Sequence, residues 1–325
     1  MNVRQRLFFS PIPLIFACLA TVWAAPPAGA ASLGDIPIME EFNAGLRAVA
    51  AQDPDEKIRN PDTMARQFLS PTFWFWSSLD EDYTQCMKFI KVYRLSAYYG
   101  SNACTKHIDG ILHKAAQKGI QQVVNIGAGL DSRPYRFGKQ MPTVRFFEVD
   151  LPVAVARKKE LVAAALGRLP ETVVYIPIDY RSHSIDSALK RTGYEKERKT
   201  LFICEGVLQY IDTVAVDRIM RLIAENAAPG SELVFDYIQD DIVHGDYSQF
   251  PYARLHAIRL ASYGYPWKFG IAQEKAAEFV NQKGFAVISD LGSEELARQY
   301  LVRSDGNIDG KPTPYFRIMH AVLER

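Results

Sequence analysis

A strand that runs directly into a glycine turn constrains the fold of this chain more than any other segment. Residues 121–136 read Gln-Gln-Val-Val-Asn-Ile-Gly-Ala-Gly-Leu-Asp-Ser-Arg-Pro-Tyr-Arg. The mostly apolar run at 123–126 is typical of a strand that is covered on both faces. Gly127 and Gly129 allow the backbone to turn sharply and to pass close to a ligand, because a Cβ atom would block that approach. The segment therefore predicts a ligand site at the end of a buried strand, and the alternative is an ordinary tight turn.

A second apolar strand ends in an acid about 20 residues after this turn, which is where dinucleotide-binding folds place the acid that binds a ribose. The strand reads Phe-Phe-Glu-Val-Asp and ends at Asp150. Ser132 stands where the third glycine of a Gly-x-Gly-x-x-Gly motif would be, which disfavours a pyrophosphate at the N-terminus of the next helix. The two strands favour a ligand that has a ribose and no phosphates. The alternative for Asp150 is a capping acid.

From Gln121 onward, predicted strands and amphipathic helices alternate along the chain. Seven strands are predicted, near residues 121–127, 144–150, 173–179, 199–205, 231–238, 284–291 and 315–324. Such alternation implies right-handed crossovers and a mainly parallel, doubly wound sheet of the α/β class. The last two predicted strands have no βαβ helix pattern between them.

Three blocks of sequence give the chain a specific resemblance to a known family. Residues 125–133 read Asn-Ile-Gly-Ala-Gly-Leu-Asp-Ser-Arg, residues 147–152 read Phe-Glu-Val-Asp-Leu-Pro, and residues 201–210 read Leu-Phe-Ile-Cys-Glu-Gly-Val-Leu-Gln-Tyr. With residues 60–69, which resemble the family's N-terminal signature, they resemble the leucine carboxyl methyltransferase family, which includes polyketide carboxyl methyltransferase-like bacterial members. The resemblance implies a seven-stranded, Rossmann-like class I methyltransferase sheet, S-adenosylmethionine as the cofactor, and methyl transfer to an oxygen.

The same resemblance implies which residues bind S-adenosylmethionine. The backbone at Gly127 and Gly129 would run close to the methionine part of the cofactor. Asp150 would accept hydrogen bonds from both ribose hydroxyls. Asp179 would accept a bond from the exocyclic amine of adenine, and Tyr180, where the family has leucine, would stack on the adenine ring. The alternative for Asp179 is an acid that serves only a turn.

The methionine end of the cofactor is where the chain departs from the family pattern. Glu205 follows a predicted buried strand, and the resemblance implies that it faces the cofactor's ammonium group; the alternative is a structural partner such as a helix N-terminus. The family's Arg-Thr-Arg/Lys segment reads Cys104-Thr105-Lys106 here, so Cys104 replaces the arginine that holds the cofactor carboxylate. Lys106 and Arg133 are the candidates to bind that carboxylate instead, Lys106 only if the chain is not yet helical at that point.

The sequence divides into an N-terminal segment at 1–31 and a methyltransferase domain at 32–325. The first segment has the layout of a secretory signal peptide: two arginines, an apolar stretch at 7–25 and the small-residue sequence Ala-Gly-Ala before Ala31. Cleavage there predicts an exported protein, either periplasmic or secreted. The alternative is an uncleaved anchor at 7–25, which would be the only contact with a membrane and would leave the domain in the cytoplasm.

Two parts of the domain are predicted to cover the sheet. Residues 32–100 are expected to form a helical cap. Residues 239–272 are too long for a loop between a strand and a helix, are rich in aromatic residues, and contain a predicted short helix at 252–262. Because they follow the fifth strand, at whose carboxyl end open α/β sheets bind ligands, we interpret them as a lid over the methyl acceptor. The alternative is a structural insertion that packs on the cap.

Composition and catalytic motifs limit the function further. The net charge of +1, from 38 basic and 37 acidic residues, gives no reason to expect a nucleic-acid partner. Cysteine spacing indicates no metal site.

No Ser-His-Asp or Cys-His arrangement stands out, so no catalytic residue is assigned. A carboxylate acceptor needs no base, because it is already ionised at neutral pH. A small-molecule carboxylate is therefore the predicted methyl acceptor.

Two other functions remain open from the sequence. A non-catalytic binding protein on a degenerate methyltransferase fold is favoured by Cys104 and by the export signal. A nicotinamide oxidoreductase is disfavoured because the third glycine and a recognisable catalytic pair are missing. The oligomeric state is not predicted.

Overall fold

The structure of the chain is a computed structural model that describes residues 38–70, 87, 96–179 and 183–324. The predicted signal segment, the parts of the predicted cap at 32–37, 71–86 and 88–95, and Tyr180 lie outside these residues. Within the described ranges, no helix combines the length and apolar character needed to cross a membrane.

Seven strands in the described part of the chain form one sheet. They are β1 (Gln122–Ile126), β2 (Arg145–Asp150), β3 (Val173–Pro177), β4 (Thr200–Cys204), β5 (Glu232–Ile238), β6 (Phe285–Leu291) and β7 (Phe316–Leu323). Their order is β3-β2-β1-β4-β5-β7-β6, and only β7 runs antiparallel to its neighbours. The predicted doubly wound, mainly parallel α/β sheet is confirmed.

Helices cover both faces of this sheet. The described helices are α1 (Ile38–Ala50), α2 (Ser96–Gln117), α3 (Arg133–Phe137), α4 (Pro152–Leu166), α5 (Ile185–Arg191), α6 (Thr213–Asn226), α7 (Asp240–Val243), α8 (Ala253–Ser262), α9 (Ala276–Asn281) and α10 (Ser293–Tyr300). Helices α1, α2, α4 and α10 contribute to the core on one face, whereas α5, α6 and α9 contribute to the core on the other. The central strands are therefore buried on both sides, which is why their sequences are mostly apolar.

One connection differs from the sequence prediction. Helix α10 lies between β6 and β7, where no helix was predicted. Its sequence, Ser-Glu-Glu-Leu-Ala-Arg-Gln-Tyr, is short and mostly polar, and only Ser293, Leu296 and Ala297 are buried. Because it connects antiparallel strands rather than a parallel pair, it adds no βαβ unit to the sheet.

The strand register places the predicted site residues at one edge of the sheet. Asn125 of β1 is paired with Ile203 of β4, so the glycine turn and Glu205 follow neighbouring strands at the same level. Asp150 ends β2 opposite Pro177 of β3. The chain turns to opposite sides of the sheet after β1 and β4, and open α/β sheets bind their ligands at such a switch point.

The segment predicted to be a lid contains α7 and α8. The range of α8 agrees with the helix predicted at 252–262 to within one residue. It packs on the ends of β5 and β7 through an aromatic cluster in which the rings of Trp267 and Tyr315 lie 5.7 Å apart. His256 of α8 is hydrogen-bonded to the Tyr315 hydroxyl, with 2.6 Å between Nδ1 and Oη. The segment is thus held to the sheet, and its function as a lid stays a prediction.

Candidate active site

The glycine turn after β1 bends back over the end of β2. Gly127 and Gly129 both have positive φ angles, +71° and +40°, a conformation that side chains with a Cβ rarely adopt. The N–H groups of Gly127 and Ala128 donate to the carbonyl of Val149 at 2.8 and 3.2 Å. The turn is therefore fixed by bonds to the next strand before any ligand binds.

Asp150 is part of the same turn. Its Oδ2 accepts a bond from the Gly129 N–H at 2.7 Å, and its Oδ1 accepts one from the Leu151 N–H at 2.7 Å. The residue is only 6% exposed. A carboxylate can accept about four hydrogen bonds, so backbone N–H groups and hydroxyl donors can share one carboxylate. The local structure also means that Asp150 supports the glycine turn, besides its predicted role at the ribose.

Asp179 lies two residues beyond the end of β3. The backbone carbonyl of Asp150 accepts a bond from the Ile178 N–H at 2.8 Å, which keeps this part of the chain next to Asp150. Asp179 is half-buried, and its carbonyl accepts a bond from the His183 N–H at 2.9 Å. The structure therefore brings Asp179 to the same edge as the glycine turn and Asp150.

Glu205 directly follows β4 and is paired with a buried arginine. Its Oε2 accepts a bond from Nη1 of Arg133 at 2.8 Å. The same guanidinium donates to Asp131 through Nη1 at 2.8 Å and to Asp109 of α2 through Nε at 2.9 Å. Arg133 is 4% exposed, so it is a buried cation that bridges three acids from different parts of the chain. Arg133 is thus a structural partner of Glu205, and the contact of Glu205 with the cofactor's ammonium group stays a prediction.

These ion pairs extend into a larger network. Arg136 bonds to Asp109 at 2.6 Å and lies 3.6 Å from Asp62, which also pairs with Arg47 of α1 at 2.9 Å. Three guanidiniums and four carboxylates are connected in this way: Arg47, Arg133, Arg136, Asp62, Asp109, Asp131 and Glu205. One negative charge is left in excess. Glu205 is the most accessible member, with 30% of its side chain exposed against 2 to 14% for the others.

The charges of the network shift the pKa values of Asp131 and Arg133. Burial alone would raise the pKa of Asp131, but the charges of Arg133 and Lys158 outweigh burial and lower it to about 2. Burial would likewise lower the pKa of Arg133, but Asp131, Glu205 and Asp109 raise it well above its usual range. Asp131 and Arg133 are therefore both charged at neutral pH.

Cys104, at the position of the family's arginine, lies close to this group of charges. Burial raises the pKa of its thiol, and the charges of Glu205 and Asp236 raise it further. Asp236 of β5 holds the turn after β4, because its Oδ1 accepts from the Gly206 N–H at 2.6 Å and its Oδ2 accepts from Gln209 at 3.1 Å. Burial raises the pKa of Asp236 to about 7, and the charge of Glu205 adds to that rise.

The structure does not bring Lys106 to this site, which corrects the expectation that it binds the cofactor. Helix α2 is continuous from Ser96 to Gln117, so Lys106 points away from the side of Cys104. Its ammonium donates to the backbone carbonyls of Lys57 at 2.8 Å and Tyr300 at 3.2 Å. Burial lowers its pKa to about 8. Of the two candidate replacements for the arginine, only Arg133 lies beside Glu205.

Several acids near this site were not predicted from the sequence, among them Asp109, Asp236 and Glu40, whose side chain lies against Gly129. Asp109 could have been found from the sequence, because it lies on the apolar stripe of α2 between Ile108 and Leu112, where an acid needs a buried partner. Asp236 could have been found in the same way, because it is an acid inside the mostly apolar strand β5. Glu40, at the start of α1, could not have been found in this way. Among the residues that the structure describes, no group of three or more His, Cys, Asp or Glu side chains is arranged to hold a metal ion.

Comparisons with known proteins agree with this fold. The family model of leucine carboxyl methyltransferases matches residues 41–224, more than half of the chain. A protein of Mycobacteroides abscessus named “Putative S-adenosyl-L-methionine-dependent methyltransferase” is 35% identical over 137 residues, which are 42% of this chain and 43% of that protein. One of Mycobacterium sp. (strain KMS) with the same name is 31% identical over 208 residues, 59% of this chain and 64% of its own. The chain thus spans less than two thirds of the length of these relatives.

A solved structure shows the same fold over nearly the whole chain. It is described as “a putative methyltransferase from Thermobifida fusca YX”, and it superposes with a TM-score of 0.53 at 16% identity, covering 93% of this chain and 100% of its own. This likeness identifies the class I methyltransferase fold, in agreement with the order of the seven strands. The match of the family model over residues 41–224 shows that the chain belongs to the leucine carboxyl methyltransferase family.

Proposed function

We propose that this protein is an S-adenosylmethionine-dependent O-methyltransferase that methylates a carboxylate of a small molecule. The observation that carries the proposal is the excess negative charge of the ion-pair network, whose most accessible member, Glu205, stands beside the glycine turn. A cationic ligand at this position is attracted by that charge. S-adenosylmethionine carries an ammonium group that fits it.

The hydrogen-bonding character of the site also fits this cofactor. S-adenosylmethionine presents donors at three points: the ribose diol, the exocyclic amine of adenine and the ammonium group. Asp179, Asp150 and Glu205 are acceptors that follow β3, β2 and β4. Along the sheet they come in the same order as the adenine amine, the ribose diol and the ammonium group along the cofactor. The cofactor carboxylate is the one group without an evident partner at the family's position, since Cys104 has no charge to offer, and we propose Arg133 in that role.

The chemistry requires little of the protein besides positioning. When bound, S-adenosylmethionine supplies a methyl group on a sulfonium, which a carboxylate oxygen can take as the carbon–sulfur bond breaks and its electron pair leaves on sulfur. The acceptor needs no proton removed, because a carboxylate with a pKa near 4 is ionised at neutral pH. Holding the reacting atoms in line can supply roughly 7–11 kcal/mol of the barrier in ideal systems. The aromatic segment at 239–272 is our candidate for excluding water and holding the acceptor.

A methanol-release assay tests both parts of the proposal. The protein is incubated with S-adenosylmethionine labelled on the methyl group and with a mixture of small-molecule carboxylic acids, and the products are then treated with mild alkali. Methyl esters release labelled methanol, whereas ethers and methylamines do not. We expect volatile label with the wild-type protein and none with Asp150→Ala. Label that stays in the alkali-stable fraction would contradict a carboxylate acceptor. The absence of any methyl transfer would contradict the proposal that the protein is an enzyme.

The second candidate function is binding without catalysis on the same fold. It is favoured by the neutral thiol at Cys104, which removes the charge that the family uses for the cofactor carboxylate. This function predicts that the protein binds S-adenosylhomocysteine, the demethylated product, yet shows no transfer to any carboxylic acid in the assay above.

A further inference from the structure

The first turn of helix α1 places a carboxyl group against the glycine turn. A Cβ atom built on Gly129 would lie 3.4 Å from both Cγ and Cδ of Glu40 and 3.7 Å from its Oε2. The side of Gly129 that lacks a Cβ, and that a ligand was predicted to approach, is therefore covered by Glu40. The sequence analysis assigned no role to this residue.

Helix α1 is anchored so that this position is fixed. Arg47, two turns further along on the same face, donates to the carbonyl of Leu130 at 2.8 Å, so two side chains of the helix contact the same turn. The neighbours of Glu40 are tied elsewhere: Oε2 of Glu41 accepts from the Ser70 hydroxyl at 2.7 Å, and Met39 packs against the aromatic cluster of the 239–272 segment. Glu40 is thus held at the turn by the helix as a whole.

The electrostatic surroundings of Glu40 are unfavourable for a second negative charge. Burial raises the pKa of Glu40 to about 8, and the nearby charge of Asp150 adds to the rise. Lys158 of α4 opposes this shift, whereas Glu41 of α1 adds to it slightly. Lys158 is already bonded to Glu148 and to the carbonyl of Ala128. Two acid side chains therefore stand together at the turn, with Lys158 engaged by other groups.

We propose that Glu40 is a second ribose-binding residue, which accepts a hydrogen bond from one hydroxyl of the cofactor ribose while Asp150 accepts one from the other. The inference rests on the proposed function, because it takes the ligand at this turn to be S-adenosylmethionine. A vicinal diol offers two adjacent O–H donors, which match two adjacent carboxyl groups. Each hydroxyl would add a donor to one carboxyl group, which lowers the cost of holding Glu40 beside Asp150.

The ribose can be separated from the rest of the cofactor with two ligands. S-adenosylhomocysteine contains the ribose, the adenine and the amino-acid end, whereas 5′-methylthioadenosine contains the ribose and adenine but neither ammonium nor carboxylate. Calorimetric titrations of both ligands are made with the wild-type protein, Glu40→Ala and Glu40→Gln. We expect Glu40→Ala to weaken both ligands by about fivefold, as for the loss of one hydrogen bond to a neutral carboxyl group. Glu40→Gln keeps a carbonyl acceptor and the side-chain shape, so its loss should be smaller.

Glu41→Gln is the matched control, since it alters the next acid on the same helix, whose carboxylate binds Ser70 rather than the turn. We expect it to bind both ligands like the wild type. An equal loss in Glu41→Gln would mean that the helix had moved, and it would overturn a direct role for Glu40. A loss for S-adenosylhomocysteine alone would assign Glu40 to the amino-acid end and overturn the ribose role.

The remaining outcomes separate this inference from the proposed function. If the wild type binds both ligands and Glu40→Ala binds them equally well or more tightly, Glu40 is not a ribose acceptor, while the proposed function stands. If the wild type binds neither ligand, both the proposed function and the role of Glu40 are wrong.

Discussion

The buried guanidinium of Arg133 should be among the most sensitive positions in the protein. In Arg133→Met, the side chain keeps a similar length but loses its bonds to Asp109, Asp131 and Glu205, of 2.9, 2.8 and 2.8 Å. Removing one partner of a buried ion pair costs about 3–5 kcal/mol, because the other charge is left uncompensated. Arg136 still neutralises Asp109, and Glu205 is partly solvated, so we expect a loss near the lower end of that range.

Urea unfolding at several pH values provides the assay. In the wild type, the pKa of Asp131 is lowered from 3.8 to about 2, so this carboxylate stabilises the folded protein above pH 4, and the stabilisation is lost as the pH falls toward 2. The shift corresponds to roughly 2 kcal/mol. Because Arg133→Met lacks that stabilisation, the difference in unfolding free energy between the two proteins should shrink by about 1 kcal/mol from pH 7 to pH 3.

Arg133→Lys is the control for charge without the planar fork. An ammonium offers no rigid pair of donors for two carboxylates at once, so we expect an intermediate loss of stability. A loss below about 1 kcal/mol in Arg133→Met, typical of an exposed pair, would refute the reasoning. So would a difference between the two proteins that stays constant from pH 7 to pH 3.

Three further predictions concern the ligand and the processing of the chain. Asp150→Ala should weaken S-adenosylhomocysteine binding by about 2–4 kcal/mol, because it removes a charged acceptor, while the unfolding transition should show that the fold is kept. Cys104→Arg should tighten S-adenosylmethionine binding about tenfold to a hundredfold in calorimetry, because a guanidinium pairs with a carboxylate through two parallel bonds. We also propose that the protein is exported and that its mature chain begins near Ala31, as N-terminal sequencing of the protein from its native host would reveal.

Each of these predictions has an outcome that contradicts it. An unchanged dissociation constant in Asp150→Ala would remove the ribose assignment. Weaker binding in Cys104→Arg would show that the pocket has been rebuilt around a small residue beside Glu205 and Arg133. An intact Met1 in the membrane fraction would favour the anchor at residues 7–25.

The strands could be predicted well because their environment leaves a simple signal. Central parallel strands are covered on both faces, so β1, β2 and β4 are mostly apolar runs that end at Gly127, Asp150 and Glu205. The acids at the strand ends stand out against those runs. The edge of the sheet where the ligand is proposed to bind followed from the same pattern.

The partners of these residues could not be predicted, because they are distant in sequence. Arg133 contacts Asp109 and Glu205, which lie 24 and 72 positions away, and no local pattern pairs them. Glu40 was missed because an acid in the first turn of a helix is expected on helix grounds alone. Its approach to Gly129 depends on how α1 packs, and periodicity does not determine that packing. The same limit applied to Lys106, whose direction depends on where α2 begins.

A crystal structure of the protein bound to S-adenosylhomocysteine tests the central claim most directly. We predict that the ribose hydroxyls are bonded to Asp150 and Glu40 and that the adenine lies next to Asp179. The ammonium group should lie within hydrogen-bonding distance of Glu205. A complex in which the ligand lies away from the glycine turn, or in which Glu205 contacts only Arg133 while the ammonium group binds elsewhere, would contradict it.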